Sequence, residues 1–106
     1  MVRILLDEGV PDIIQKRLGH LSIATIQELG WRGFRNGDLL DLMAGEFQIL
    51  VTTDKNLSFQ QNLVRRELSV IVIPSNRIRI LKSLMAQIEI AINTIGRGEV
   101  IEVGPN

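Results

Sequence analysis

Short apolar runs, each about the length of a strand, alternate along the chain with helix-like patterns. Residues 70–73 form the clearest run, and residues 49–51 form another that Thr52 and Thr53 extend. Continuous apolar runs of this length are typical of strands buried on both faces, as in a parallel sheet. The same reasoning predicts further strands at residues 2–6, 21–26 and 100–103.

Residues between these runs keep the spacing of three and four that is typical of helices. Val10, Ile14 and Leu18 predict a helix at residues 11–18, which Gly19 ends. Further helices are predicted from Asp38 onward, at residues 57–67, and from a cap at Ser75 or Asn76 to Gly96. Strands that alternate with helices, without hairpin signals, predict a three-layer α/β/α sandwich with a mainly parallel sheet.

Composition narrows the class of protein. The chain has 106 residues, of which 45% are hydrophobic and 23% charged, so we treat residues 1–106 as one globular domain. The formal net charge is zero, so any nucleic-acid contact requires a local basic patch. The absence of cysteine excludes disulfides and thiolate metal sites. No apolar run has membrane-spanning length, and Asp7 comes too early for a signal peptide, so we expect a cytoplasmic protein.

Three aspartates stand at positions where an α/β fold places its chemistry. Asp7 and Asp54 each follow a predicted strand, and Asp38 opens a predicted helix. The carboxyl ends of parallel strands share one edge, so Asp7 and Asp54 should meet there, with the helix start folded over them. Carboxylates crowded into one cleft repel each other unless cations compensate. Mg²⁺ prefers such oxygen ligands, and the predicted chemistry is therefore metal-dependent phosphodiester hydrolysis.

Helix capping is the alternative explanation of these aspartates, because Asp is a preferred N-cap residue. Asp38 follows Asn36 and Gly37 at a helix start, so capping explains this residue better when it is taken alone. The metal hypothesis therefore depends on the three aspartates together. Glu8 could join them, but we expect it to face solvent.

Basic and aromatic residues surround the expected acidic edge. The basic ones lie in or just after its loops and are Arg32, Arg35, Lys55, Arg65 and Arg66. They could bind phosphates, which supply much of the affinity for nucleic acid. Trp31 and Phe34 could stack on unpaired bases, but packing beneath a loop is the preferred interpretation of both. His20 is interpreted as a surface residue.

The last predicted helix contains more isoleucine than its apolar stripe requires. Ile78, Ile80 and Ile90 fall partly outside the stripe. Exposed apolar surface of this kind favours a homodimer or a protein partner.

The acidic motifs resemble those of PIN-like domains. They are Leu5-Leu6-Asp7, Gly37-Asp38-Leu39-Leu40 and Leu50-Val51-Thr52-Thr53-Asp54, and the resemblance covers essentially the whole chain. The chain resembles the short bacterial members, which are related to the VapC-type toxin ribonucleases of toxin–antitoxin systems. The resemblance implies RNA cleavage with Mg²⁺ or Mn²⁺, Asp7, Asp38 and Asp54 as metal ligands, and Thr52 in support. It also implies a small antitoxin protein as partner.

Two alternatives remain open. Many PIN-like relatives carry another acid just after the third aspartate, where this chain has Lys55-Asn56. A catalytically silent module that binds a partner is therefore one alternative. The other is a signalling receiver domain, in which Asp7-Glu8 would be the paired acids and Asp54 the phosphoacceptor. Receiver domains need a lysine after the fifth strand, and its absence after Val103 counts against this second alternative.

Overall fold

A computed structural model describes residues 2–56 and 62–104. Within these residues the chain forms five strands and five helices. In chain order they are β1 (Arg3–Leu6), α1 (Ile13–Arg17), β2 (Ser22–Thr25), α2 (Ile26–Leu29), α3 (Asn36–Met43), β3 (Ile49–Thr52), α4 (Leu63–Arg66), β4 (Ser69–Val72), α5 (Ile78–Thr94) and β5 (Val100–Glu102). All five predicted strands are present.

The strands form one parallel sheet in the order β2-β1-β3-β4-β5. From β2 the chain crosses over β1 and continues with β3, β4 and β5 on the other side. This is the flavodoxin-like doubly wound order, and its topological switch point lies between β1 and β3. Helices α1 and α5 cover one face, whereas α2, α3 and α4 cover the other. The predicted three-layer sandwich is confirmed.

Alternation along the central strands explains why their sequences are apolar throughout. Leu6 and Val51 belong to the core beneath α1 and α5, whereas Leu5 and Leu50 belong to the core beneath α3. All four side chains are fully buried, and each contributes about 1.5–3 kcal/mol by leaving water. A polar side chain at these positions would be buried without a partner. The strand ends are therefore the first positions at which polar side chains are tolerated.

The outer edge of β2 is covered by two side chains. Gln15 Nε2 donates to the Ile23 carbonyl at 2.8 Å and to Glu28 Oε1 at 2.6 Å. Glu28 Oε1 also accepts from the Thr25 N–H at 2.9 Å, and the Glu28 N–H donates to Thr25 Oγ1. This reciprocal pair caps α2, a single turn that the sequence pattern did not predict. The contacts occupy edge groups of β2 that could otherwise pair with another strand.

The start of α3 differs from the prediction. This helix begins at Asn36 with Arg35 as its N-cap, so Asp38 is its third residue. Asp38 does not cap α3, and the capping interpretation is wrong. Asn36 has a left-handed φ of 50°, which asparagine tolerates better than most other residues with a side chain.

The starts of α4 and α5 also differ from prediction. Arg77 is the N-cap of α5, and Ser75 Oγ accepts a hydrogen bond from the Arg77 N–H at 3.0 Å. Neither Ser75 nor Asn76 is therefore the cap. Of the helix predicted at residues 57–67, the structure has Leu63–Arg66. Residues 57–61 of that prediction lie outside the described residues.

Helix α5 buries one stripe of apolar side chains close to the predicted one. Its buried residues are Leu81, Leu84, Ile88, Ala91 and Ile92. His20 is exposed, with its Nε2 atom 2.6 Å from Glu89 Oε2 on the outer side of α5. The surface interpretation of His20 is confirmed. Among the described helices, none combines the length and the apolar character needed to cross a membrane.

Candidate functional site

The register of the sheet brings Asp7 and Thr52 side by side. Leu6 of β1 is paired with Val51 of β3, so the next residues, Asp7 and Thr52, are neighbours at the carboxyl edge. The Asp7 N–H extends the pairing by donating to the Val51 carbonyl at 2.9 Å. Side chains alternate along strands, so Asp7 and Thr52 both point to the face that α3 covers. The strand pattern alone is sufficient to create this contact.

The hydroxyl of Thr52 links the two aspartates. It donates to Asp7 Oδ2 at 2.7 Å and accepts from the Asp54 N–H at 3.0 Å. Thr52 is completely buried, so its hydroxyl must find both partners within the protein. Asp7 Oδ1 also accepts from the Glu8 N–H at 2.8 Å, and Asp54 Oδ1 accepts from the Asn56 N–H at 2.9 Å. Both carboxylates are thereby held at the switch point of the sheet.

The pKa of Asp7 is raised above its usual 3.8. Burial is the largest cause, because a half-buried carboxylate loses solvation of its charged form. The hydrogen bonds from Thr52 and the Glu8 N–H lower the pKa, and the negative charges of Asp54 and Glu8 raise it again. The net upward shift means that the ionised carboxylate is destabilised here. A nearby cation would offset that destabilisation.

A cleft of about 350 Å³ opens at this edge. It lies between the ends of β1 and β3 and the segment that leads into α3, with the lining residues Asp7, Glu8, Asp54, Phe34, Arg35 and Asn36. Glu8 Oε1 accepts a hydrogen bond from the Gly33 N–H at 3.0 Å, so the two walls of the cleft are joined. The volume is at the lower end of the range for small-ligand sites. Glu8 is exposed, as predicted. Its hydrogen bond with the Gly33 N–H was not predicted.

Asp38 is not among the residues that line the cleft. Asn36 and Leu39 line it, and Asp38 lies about 100° around the helix from Leu39. Within residues 2–56 and 62–104, no three acidic or histidine side chains are grouped closely enough to hold a metal ion together. The structure therefore brings Asp7 and Asp54 together without Asp38. A role for Asp38 as third ligand stays a prediction.

Arg66 lies at the opposite edge of the sheet from the two aspartates. It lines a separate depression with Val2 and Gln48, close to where β1 and β3 begin, and it pairs with Asp41 of α3. Helix α4 leads into β4, so its last residue reaches the edge where the strands start. The expectation that Arg66 shares the acidic edge is therefore wrong. Arg65 precedes it in the same helical turn.

Arg35 is the predicted basic residue that lines the cleft. Lys55 instead lies beside the ends of β4 and β5, near Pro74 and Gly104. Arg32 is exposed in the loop before α3 and does not line the cleft. Five basic residues were predicted to bind phosphate. Among the described residues, Arg35 is the one of these five that lines the cleft with the carboxylates.

The two aromatic residues of this loop have different environments. Trp31 packs edge-on against Phe47, with ring centroids 5.9 Å apart, and the packing interpretation is confirmed for it. Phe34 is 44% exposed and lines the cleft, so the packing interpretation is wrong for Phe34. The backbone N–H of Trp31 donates to the Ile26 carbonyl in α2, and this hydrogen bond holds the start of the loop against the core. Gly33, with a φ of 88°, then turns the chain back toward the strand ends.

The oxygen atoms of Asp7 and Asp54 suit a hard divalent cation. An ionised carboxylate has about four acceptor positions, so the hydrogen bonds described above leave further positions on each group. Mg²⁺ is commonly held by one or two carboxylates, with water and substrate phosphate completing its coordination. The Asp7–Asp54 pair fits that pattern. A cation would also offset the burial and the negative charges that raise the pKa of Asp7.

Comparisons with known proteins identify no relative. No protein-family model, no curated protein and no solved structure matches the chain. The case for a function therefore comes from the residues and contacts of the cleft, together with the resemblance of the acidic motifs.

Proposed function

We propose that the protein is a metal-dependent ribonuclease that uses the cleft beside Asp7 and Asp54. The observation that carries the proposal is the pair of carboxylates linked by the buried Thr52 hydroxyl at the switch point of a parallel sheet. The raised pKa of Asp7 supports it, because a destabilised carboxylate gains from a bound cation. The resemblance to the acidic motifs of PIN-like domains supports the same activity.

Each residue of the cleft has a defined role in this proposal. Asp7 and Asp54 would hold Mg²⁺ or Mn²⁺. Asp38 does not line the cleft, so its role as third ligand, which the resemblance implies, stays a prediction. The ion would neutralise phosphoryl oxygens and make a bound water more acidic. Thr52 is a positioning residue, because its hydroxyl fixes the orientation of Asp7 and the backbone of Asp54. Arg35, on the opposite wall, binds a substrate phosphate.

We expect the purified protein, freed of any partner, to cleave single-stranded RNA with Mg²⁺ or Mn²⁺ and to be inactive in EDTA. The physical reason is that the carboxylate pair can hold a hard cation, and the reaction requires one. Gel electrophoresis of end-labelled RNAs measures the cleavage, and excess Mg²⁺ added back to the EDTA sample controls for irreversible damage. The proposal fails if a broad RNA panel is left intact with both metals.

A phosphoacceptor domain is the second candidate, and the strand order favours it. Receiver domains share the order β2-β1-β3-β4-β5, and Asp54 follows β3 beside Asp7-Glu8. Within the described residues, however, no lysine follows β5. Incubation with acetyl phosphate separates the two candidates by intact mass. A phosphoacceptor gains a phosphoryl group that Asp54→Asn abolishes, whereas a nuclease gains none. A catalytically silent module would show neither reaction.

The biological role that we propose is the toxin of a toxin–antitoxin pair in the cytoplasm, with a small antitoxin protein as partner. Ile78 and Ile90 of α5 are 50% and 61% exposed. The two lie about 120° apart around the helix, so they form no single apolar patch, and the partner proposal rests mainly on the resemblance of the acidic motifs. Ile80 is half-buried and packs against the core beneath α5.

We expect the protein isolated from its own host to exceed the mass of a monomer, as a homodimer or as a complex with one small protein. Light scattering after size exclusion measures the mass, and mass spectrometry identifies the components. Ile90→Ser should weaken the assembly because it removes exposed apolar surface, whereas Lys82→Ser on the same helix should not. A monomer at high protein concentration that also co-purifies with nothing would contradict the partner proposal.

A further inference from the structure

Phe34 is an exposed aromatic side chain in the wall of the cleft. It is 44% exposed, although most large apolar side chains of the chain are buried, and it lines the cleft with Asp7 and Asp54. Its loop neighbour Trp31 packs against Phe47, so the loop can bury an aromatic ring where the core requires one. Phe34 has no such role in the core. Its position instead presents a ring face or edge at the entrance to the carboxylates.

Arg35 adds a positive charge next to that ring. It lines the same cleft as Asp7, Glu8 and Asp54. Among the described residues, none of these carboxylates forms an ion pair with the Arg35 guanidinium. The guanidinium therefore keeps its donors for another group, and its planar fork matches a phosphate. An aromatic ring and an unpaired guanidinium thus stand next to each other along the chain.

The wall that carries Phe34 and Arg35 is held in place at both ends. On one side, Glu8 Oε1 accepts the Gly33 N–H at 3.0 Å, which ties the loop to the end of β1. On the other side, the Leu39 N–H donates to the Arg35 carbonyl at the start of α3. The backbone that carries the ring and the guanidinium is therefore held near the carboxylates, so ligand binding needs to order only the two side chains.

We propose that Phe34 and Arg35 form a subsite for one unpaired nucleotide of a single strand, with the base stacked on Phe34 and the adjoining phosphate on Arg35. This inference rests on the proposed function and adds its substrate class. A base within a duplex is covered on both faces by its neighbours, so it cannot stack on the ring unless the duplex opens. An unpaired base has a free face, and every base can stack, so the subsite selects for strandedness rather than sequence.

Binding of matched oligonucleotides tests the subsite without turnover. A fluorescent single-stranded RNA, the same RNA in a duplex, and a single-stranded DNA of the same sequence are titrated in EDTA, where the proposed nuclease is inactive, and binding is measured by anisotropy. Wild type should bind the single strand at least about tenfold more tightly than the duplex. Phe34→Leu should weaken single-strand binding about tenfold, within the range for one base–aromatic stack, and Phe34→Trp should retain it. The DNA arm shows whether the subsite discriminates by sugar.

Two further variants separate the phosphate contact from a general effect of apolar surface. Arg35→Gln should weaken binding and reduce the salt dependence by about one phosphate contact. Val2→Ala, at an exposed apolar position outside the cleft, should leave binding unchanged. Melting curves of each variant confirm that it is folded, which an exposed site should permit.

The outcomes distinguish this inference from the proposed function. Equal binding by wild type and Phe34→Leu, equal binding of single strand and duplex, or no binding of any strand would overturn the subsite. Cleavage without dependence on Phe34 would leave the ribonuclease proposal intact and remove the subsite. Binding that depends on Phe34 without cleavage would leave the subsite intact and indicate a silent binding module.

Discussion

Asp7→Asn should abolish RNA cleavage and, without metal, raise the free energy of unfolding. The amide keeps one of the two local hydrogen bonds, because its oxygen can accept from the Glu8 N–H. Its nitrogen can donate to Thr52 Oγ1, but the buried Thr52 hydroxyl proton then loses its acceptor. That hydroxyl has two acceptor positions, and the Asp54 N–H uses one. The substitution therefore removes the charge and also one acceptor of a buried hydroxyl, and this loss offsets part of the gain in stability. Cleavage should fall by more than about 100-fold, because even groups that only orient metal ligands contribute about 10–100-fold.

The gain in stability should depend on pH in a defined direction. The folded-state pKa of Asp7 is raised above 3.8, so the folded protein favours the protonated carboxyl. That contribution to stability is present below the unfolded-state pKa and is lost as the pH rises through the folded-state pKa. Asparagine does not titrate. The difference in unfolding free energy between Asp7→Asn and wild type should therefore be small at acidic pH and increase toward neutrality.

Metal should reverse the order of stability, since an ion that binds only the folded state stabilises it by mass action. Thermal melting of wild type and Asp7→Asn across pH, with and without Mg²⁺ at matched ionic strength, measures both effects. Asp12→Asn is the matched control. Asp12 is exposed at the start of α1, outside the cleft, and its side chain pairs with Lys16 at 3.3 Å. The loss of one exposed ion pair costs little stability. If Asp7→Asn were no more stable than wild type, and Mg²⁺ stabilised neither, the aspartate would not be a metal ligand.

The parts of the fold that follow from buried strands could be predicted from the sequence. Residues such as Leu5, Leu6, Leu50 and Val51 are apolar because both faces of the sheet are covered, and such runs indicate strands without knowledge of partners. The parallel register then follows from the alternation with helices. It is this register that carries Asp7 to Thr52, so the central contact of the site was within reach of the sequence.

The walls of the cleft could not be predicted in the same way, because single backbone angles decide them. Helix α3 begins at Asn36, which has a left-handed φ and lies two residues before Asp38. Asp38 lies outside the cleft, and Arg35 lines its wall. Gly33 has a left-handed φ and lies between Trp31, which packs against Phe47, and Phe34, which lines the cleft. The predicted location of Arg66 was wrong for a different reason. Arg66 is the last residue of α4, and this end of the helix leads into β4, so Arg66 lies at the edge of the sheet where the strands begin. None of these features leaves a periodic signal.

Thr52→Val and Thr52→Ser should distinguish the contribution of the Thr52 hydroxyl hydrogen bonds from the contribution of its packing. Valine keeps the shape but leaves Asp7 Oδ2 without its donor and the Asp54 N–H without its acceptor, which should cost about 1–3 kcal/mol of stability for a buried group. Serine keeps the hydroxyl and loses one buried methyl, which should cost about 1 kcal/mol. Stability alone therefore distinguishes the two variants poorly.

The pKa of Asp7 and the rate of cleavage should distinguish them well. The Thr52 hydrogen bond lowers the pKa of Asp7, so Thr52→Val should raise this pKa further and move the loss of stability to higher pH, whereas Thr52→Ser should leave it near the wild-type position. Carbon-detected NMR titration of the Asp7 carboxyl measures the shift. Cleavage should fall about 10–100-fold in the valine variant, the range for groups that orient metal ligands, and should be largely retained in the serine variant. Equal pKa values and equal rates in the two variants would show that Thr52 contributes packing alone and does not position the carboxylates.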